Sequence, residues 1–345
     1  MTTLIEAEVR TLSYREAINE ALRIEMRRDP TVILMGEDVT GAPHSDAEAH
    51  LDAWGGVLGV TKGLVHEFGR ERVRDTPITE SGFMGAGVGA AATGLRPVVE
   101  LMFIGFAGVC LDQIVNQGAK MRYMFGGKAR IPLTIRTMIG AGFRAAAQHS
   151  DSIYSTFVHF PGIKVVAPAT PADAKGLLAA AIRDDDPVIF CEHKVLYDSR
   201  GPVPEGEYVI PLGQADIKRE GDDVTIVAIS RMVLHALQAA EHLAASGINA
   251  EVVDLRSLSP LDEATVLASI RKTGRLVVVD EDNPRCSVAG DIATLAATQA
   301  LEYLNAPVKL VTAPHTPVPF SPALEDLYVP SPERIVAAAR SAVGA

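Results

Sequence analysis

Apolar positions along the first half of the chain follow two alternating rhythms. In TLSYREAINEALRIEMRRDP (11–30) apolar side chains return every three or four places. Ser13 and Glu16 are spaced as a capping box and Pro30 closes the run, so this stretch is predicted to be a helix. TVILMGEDV (31–39) is nearly all apolar and reads as a buried strand ending in Gly-Glu-Asp. A polar stretch, 40–56, reads as a loop. The alternation then resumes: helix 61–69, strand 72–76, a helix of small residues over 81–94, strand 97–103 and helix 107–122. Strands 132–138, 163–169 and 187–193 follow, the last two separated by a helix opened by Thr170, Pro171 and Asp173. Strands alternating with helices predict a mostly parallel sheet covered on both faces.

Residues 197–211, YDSRGPVPEGEYVIP, are rich in Pro, Gly and charge and read as a linker. Beyond them strands 223–230, 249–256, 275–281 and 307–313 alternate with helices 232–246, 261–272 and 288–303. The prediction is an α/β protein of two domains, residues 1–200 and 212–345, joined by 201–211; a chain of 345 residues is long enough for both.

Composition narrows the class. Formal net charge is −11 and no Lys/Arg cluster stands out, which argues against nucleic acid as a partner. The most apolar window, 98–111, is too short to span a bilayer and contains Glu100, and MTTLIEAEVR lacks the apolar run of a signal peptide. Cys110, Cys191 and Cys286 are far apart with no CxxC pair, so neither a disulfide framework nor a zinc site is expected and a cytoplasmic home is.

Four features could carry chemistry. Gly87-Val88-Gly89-Ala90-Ala91-Ala92 satisfies the dinucleotide pattern G-x-G-x-x-G/A, which would suit an NAD-binding oxidoreductase. That pattern needs its first glycine at a strand-to-helix turn, but Gly82 and Gly85 already precede it, and no acidic residue about 20 positions further on stands at the end of a second strand, Glu100 coming too early. A smooth helix packed closely on another element is the better reading. Glu80, at the end of RDTPITE, sits at or just before the start of that helix, as either an ordinary helix-start carboxylate or one held for a ligand. His149, in AAAQHSDS, lies in a polar loop after a buried strand, and Phe103 and Phe106 close the strand in ELMFIGF. No HExxH, GxSxG or P-loop motif occurs.

In order along the chain, LMGEDV (34–39), GVTKGL (59–64), RVRDTPITE (72–80), GLRPVVE (94–100), AAQHSDS (146–152), PGIKVVAPATPADAKGLL (161–178), DDPVIFCEHKVLY (185–197), VVDLRSLSPLD (252–262) and KTGRLVVVDE (272–281) resemble one family. It is the beta subunit of the thiamine-diphosphate-dependent component of 2-oxo acid dehydrogenase complexes. The ending APHTPVPFSPALEDLYVPSPERI is most similar to the acetoin dehydrogenase branch, while VPEGEY, IPLG and ADIKREG are shared with the pyruvate branch.

The resemblance implies a pyrimidine-binding domain followed by a transketolase-type C-terminal domain. It implies that Glu80 hydrogen-bonds N1′ of the cofactor's aminopyrimidine, favouring the imino tautomer that deprotonates the thiazolium. Ile78 would contact the cofactor from the same segment, and Phe106 would stack on the pyrimidine. Glu37 would stand behind as a further carboxylate, and His149 would serve proton transfer on the substrate side. The family's Gly-Asp-Gly motif for Mg²⁺ and the diphosphate is missing, since EGDDV and AGDIA do not fit it. An alpha chain is therefore expected to supply Mg²⁺ and the diphosphate site in an α2β2 heterotetramer. The acyl group would pass to a lipoyl-bearing dihydrolipoamide acyltransferase.

Overall fold

The computed structural model describes residues 9–41 and 54–345, so most of the stretch read as a loop over 40–56 lies outside the described residues. The first helix forms as its cap demands. The Glu16 amide donates to the Ser13 hydroxyl at 3.3 Å and the Ser13 amide to the Glu16 carboxylate at 2.7 Å, opening helix Tyr14–Arg28.

In chain order the strands of the first half are β1 (Val9–Ser13), β2 (Val32–Gly36), β3 (Val73–Asp75), β4 (Arg96–Phe103), β5 (Thr134–Ile139), β6 (Lys164–Val166), β7 (Val188–His193) and β8 (Arg200–Pro204). Those of the second half are β9 (Asp216–Arg219), β10 (Val224–Ala228), β11 (Ala250–Asp254), β12 (Ser257–Ser259), β13 (Leu276–Asp280) and β14 (Lys309–Thr312). A seven-stranded sheet runs β12-β6-β7-β5-β4-β2-β3, and a five-stranded sheet runs β14-β13-β10-β11-β9. Every pairing in them is parallel except β12 with β6 and β9 with β11. The α/β, mostly parallel architecture read from the alternation is thus present. Because β12 comes from the second half and joins the first sheet, the halves interlock. One buried apolar cluster runs through both, from Ile135 and Ile139 to Val227, Val253 and Val278.

Some boundaries differ from the pattern's forecast. The strand expected over 163–169 stops at Val166, because Pro168 has no amide to donate, and the Ala167 amide bonds instead to the Arg256 carbonyl. The stretch read as a linker contains β8, which pairs antiparallel with β1. The helix expected over 107–122 is three pieces, Ala107–Asp112, a π-helical Gln113–Gly118 and Ala119–Met124, with Cys110 off helical geometry.

Both sheets reverse direction. From β2 the chain moves to β3 on one side, then crosses to β4 and β5 on the other. From β10 it moves to β11, then crosses to β13 and β14. Crevices at such reversals, outside the carboxyl ends of the strands, are where open α/β sheets bind ligands.

Candidate active site

Four of the five residues singled out above leave the seven-stranded sheet at the carboxyl ends of β2, β3 and β4, and the fifth follows β5. Glu37 is the first residue past β2. The β3 exit stays beside it, because the Thr76 amide donates to the Gly36 carbonyl at 3.0 Å. Ile78 and Glu80 follow, with Glu80 as the first residue of helix Glu80–Ala92. Phe106 ends a short 3₁₀ turn, Ile104–Phe106, directly after β4. His149 ends another, Ala147–His149, in the loop that follows β5.

Helix Glu80–Ala92 is smooth on the inside for a packing reason. A Cβ on Gly87 would lie 2.7 Å from Cγ2 of Val99 in β4, so only glycine lets the helix sit this close to the sheet. Gly87 and Gly89 lie inside the helix rather than at a strand-to-helix turn, so the dinucleotide pattern is a packing pattern. The same closeness seats Glu80, half-buried, against helix Ala107–Asp112. The Ser81 hydroxyl bonds the Val109 carbonyl at 2.6 Å, and the Cys110 thiol is pushed up to about 12, by burial first and by the Glu80 charge second. Ile78 stands 68% exposed, an apolar side chain with room for a ligand or another chain to cover it.

Phe103, Phe106 and His149 form one aromatic cluster. The His149 ring lies 4.3 Å from Phe103, tilted by 48°, and 5.4 Å from Phe106, nearly perpendicular at 88°. Phe103 and Phe106 meet edge to face at 5.5 Å. All three rings are half-buried, so faces remain for a planar ligand.

Behind the crevice the middle of the sheet carries a buried charge triad. Arg136 of β5 donates twice to Glu192 of β7, at 2.6 and 2.8 Å, and once to Glu100 of β4, at 2.6 Å. Burial raises the Glu100 pKa, opposed by Arg136. Tyr197 completes the network by donating to Glu192 at 2.7 Å. These groups fix the spacing of the central strands.

The loop carrying His149 is tied down by groups the sequence reading missed. Lys194, just past β7, is buried and donates to the carbonyls of Gly140, Ile139 (3.4 Å) and His149 (2.6 Å). Burial pulls its pKa down to about 8, against the charges of Glu281, Glu325 and Asp151. From the second half, Glu281 accepts the Ala141 amide at 2.5 Å and contacts the His193 ring at 2.9 Å. Burial raises the Glu281 pKa, but His193, Arg231 and that amide outweigh it and hold it at about 2. Glu325 accepts the Gly142 amide at 2.6 Å and Arg144 at 2.8 Å. The one local clue was Lys194 itself, a cation extending the buried run VIFCEH.

Among the described residues no group of three or more His, Cys, Asp or Glu side chains could hold a metal ion, and no helix is long and apolar enough to cross a membrane.

Residues 10–199 match the family model of the transketolase pyrimidine-binding domain, and 213–335 that of the transketolase C-terminal domain. The chain is 59% identical over 335 residues to the beta subunit of the acetoin:2,6-dichlorophenolindophenol oxidoreductase of Bacillus subtilis, covering 97% of this chain and 98% of that one. It is 61% identical over 331 residues to the subunit of the same name from Cupriavidus necator, covering 96% and 97%. To the pyruvate dehydrogenase E1 component subunit beta of Rhizobium meliloti it is 45% identical over 335 residues, covering 97% and 70%. A solved split-gene transketolase, an inactive beta4 tetramer, superposes with a TM-score of 0.75 at 24% identity, over 96% of this chain and 98% of that one, a likeness of fold.

Proposed function

The chain belongs to the beta subunits of the thiamine-diphosphate-dependent component of 2-oxo acid dehydrogenase complexes, and on that premise we propose that it is the beta subunit of an acetoin dehydrogenase. Acetoin is cleaved to acetaldehyde and an acetyl group, which passes to lipoamide: one sulfur of the disulfide takes the acetyl and the other the hydrogen. Thiamine diphosphate supplies the site at which the bond next to the carbonyl is broken.

The observation that carries this reading is the crevice at the β2/β4 reversal, where Glu80 and the Phe103–Phe106–His149 cluster leave neighbouring strands of one sheet. It fits the pyrimidine half of the cofactor. Glu80 is a half-buried carboxylate suited to a protonatable ring nitrogen, Phe106 a ring suited to stacking, and Ile78 an uncovered apolar contact. In this reading Glu80 holds the proton at N1′, Glu37 lends charge from the adjoining strand end, and His149 moves a proton during transfer to lipoamide. Mg²⁺ and the diphosphate are held by an alpha chain in an α2β2 heterotetramer, since this sequence has no Gly-Asp-Gly motif. The complex works in the cytoplasm with a lipoyl-bearing dihydrolipoamide acyltransferase.

Pyruvate is the second reading, supported by 45% identity to a pyruvate dehydrogenase subunit against 59% and 61% to the acetoin-named ones. Steady-state rates of the alpha–beta complex on acetoin and on pyruvate, with dichlorophenolindophenol as electron acceptor, test the choice. Higher kcat/KM on acetoin is expected; equal or higher kcat/KM on pyruvate would overturn it.

A further inference from the structure

The amine of Lys194 reaches the His149 imidazole by two routes at once. It donates to the His149 carbonyl at 2.6 Å, and it lies 5.6 Å from the centroid of the Phe103 ring. That ring is the one His149 packs on, at 4.3 Å. The same amine bonds the carbonyls of Ile139 and Gly140, where β5 ends and the loop begins. The Gly140 amide in turn donates to the Asp151 carbonyl at 3.0 Å, so the loop leaves and re-enters at one point. A single buried cation thus closes the base of the loop and supports the ring against which its histidine is set. A surface lysine with a structural duty would bond solvent-facing groups; this one has its donors directed at carbonyls in a buried site.

We propose that Lys194 is a positioning residue for His149, holding the imidazole in register with Phe106 through the His149 carbonyl and the Phe103 ring. The inference rests on the role given to His149 under Proposed function only for its kinetic consequence; the geometric claim stands on the contacts themselves. Without the amine, the buried Ile139 and Gly140 carbonyls and the part-buried His149 carbonyl lose a shared donor and the loop relaxes. Misplacing a catalytic group by about 1 Å costs on the order of 100-fold in rate. Substrate cleavage at the Glu80 end does not run through this contact, so the two half-reactions should separate.

The test uses the alpha–beta complex with Lys194→Met and, as the conservative variant, Lys194→Arg. Two rates are compared: acetoin-dependent reduction of dichlorophenolindophenol, and acetyl transfer to lipoamide. The third readout is exchange of the imidazole C2 hydrogen of His149 into heavy water, followed by mass spectrometry, with His242 as internal control. Lys194→Met is expected to lower kcat for lipoamide transfer about 100-fold with dye reduction within about threefold and KM for acetoin unmoved, and to change the His149 exchange rate alone. Lys194→Arg, which keeps charge and donors, is expected to restore at least a tenth of the transfer rate. Unchanged His149 exchange in Lys194→Met overturns the proposal, as does an equal loss of both activities in Lys194→Met and Lys194→Arg. Altered exchange with undiminished transfer supports the positioning and overturns instead the role assigned to His149.

Discussion

At the β2/β4 reversal of the seven-stranded sheet the crevice is left partly open, lined by Glu80, Phe103, Phe106 and His149. At the β10/β13 reversal of the five-stranded sheet, built by the same strand order logic, the crevice is filled by the protein itself. Residues 140–142 run into it: Arg231, just past β10, bonds the Ala141 carbonyl at 3.2 Å, and Glu281, just past β13, takes the Ala141 amide. Tyr154 and Ser155 from the first half likewise bond Asp280 and Asp282. Two copies of one topological opportunity are therefore used differently. One keeps half-buried side chains facing solvent, and the filled one supports the loop that carries His149 to the open one. Carboxylates at both edges look alike in sequence, yet Glu80 keeps exposed surface while Glu281 has exchanged water for an amide and an imidazole.

This contrast breaks most sharply at Glu80. Glu80→Gln should abolish dye reduction with acetoin, by on the order of 10³-fold, while the melting temperature and assembly of the complex stay unchanged. A variant that melts early or fails to assemble would place Glu80 on the structural side. Glu281→Ala should do the reverse in kind: it leaves the Ala141 amide and His193 without their partner and costs about 3 kcal/mol of stability, read by thermal unfolding. A Glu281→Ala protein with native stability and impaired catalysis would erase the distinction.

Much of the frame was legible in the chain. The alternation of strands and helices, the Ser13–Glu16 capping box and the start of the small-residue helix at Glu80 all depend on near neighbours, and local chemistry fixed them. The support of the His149 loop was not legible, because the Ala141–Glu281 and Gly142–Glu325 bonds join residues 140 and 183 positions apart. No periodicity records such a pairing. The break of helix 107–122 was hidden for a similar reason: its sequence is helical throughout, and packing over Cys110 and the π-helical stretch sets its course. The sequence offered Phe103 and Phe106 alike as rings at the end of a strand, and only the fold shows the His149 ring lying 4.3 Å from Phe103, tilted by 48°.

A smaller effect is expected at Gly142, which sits at φ +93° with its would-be Cβ 2.5 Å from Nη1 of Arg231. Gly142→Ala strains the plug at that backbone angle and should cost about 1–2 kcal/mol, visible as a lower midpoint in urea, with lipoamide transfer falling more than dye reduction.

The smallest expected effect is one of pH. Asp254, at the carboxyl end of β11 in the filled edge, is raised to about 7 by burial and then by the charge of Asp173, with Lys218 opposing. The folded chain holds this proton up to about 7 while the unfolded chain releases it near 3.8. Stability from this group is therefore complete below 3.8 and lost as pH rises through the window to about 7. Asp254→Asn removes that titration and should lose less melting temperature between pH 5 and pH 8 than the parent; an identical pH slope would show that Asp254 is ionised in the fold.

The open crevice as half of a cofactor site is tested most directly by calorimetric titration of thiamine diphosphate with Mg²⁺ into the beta chain alone, the alpha chain alone and the assembled complex. Saturable binding is expected only for the complex, at one site per alpha–beta pair, and it should weaken in the complex carrying Glu80→Gln. Tight, stoichiometric binding by the isolated beta chain would contradict the half-site.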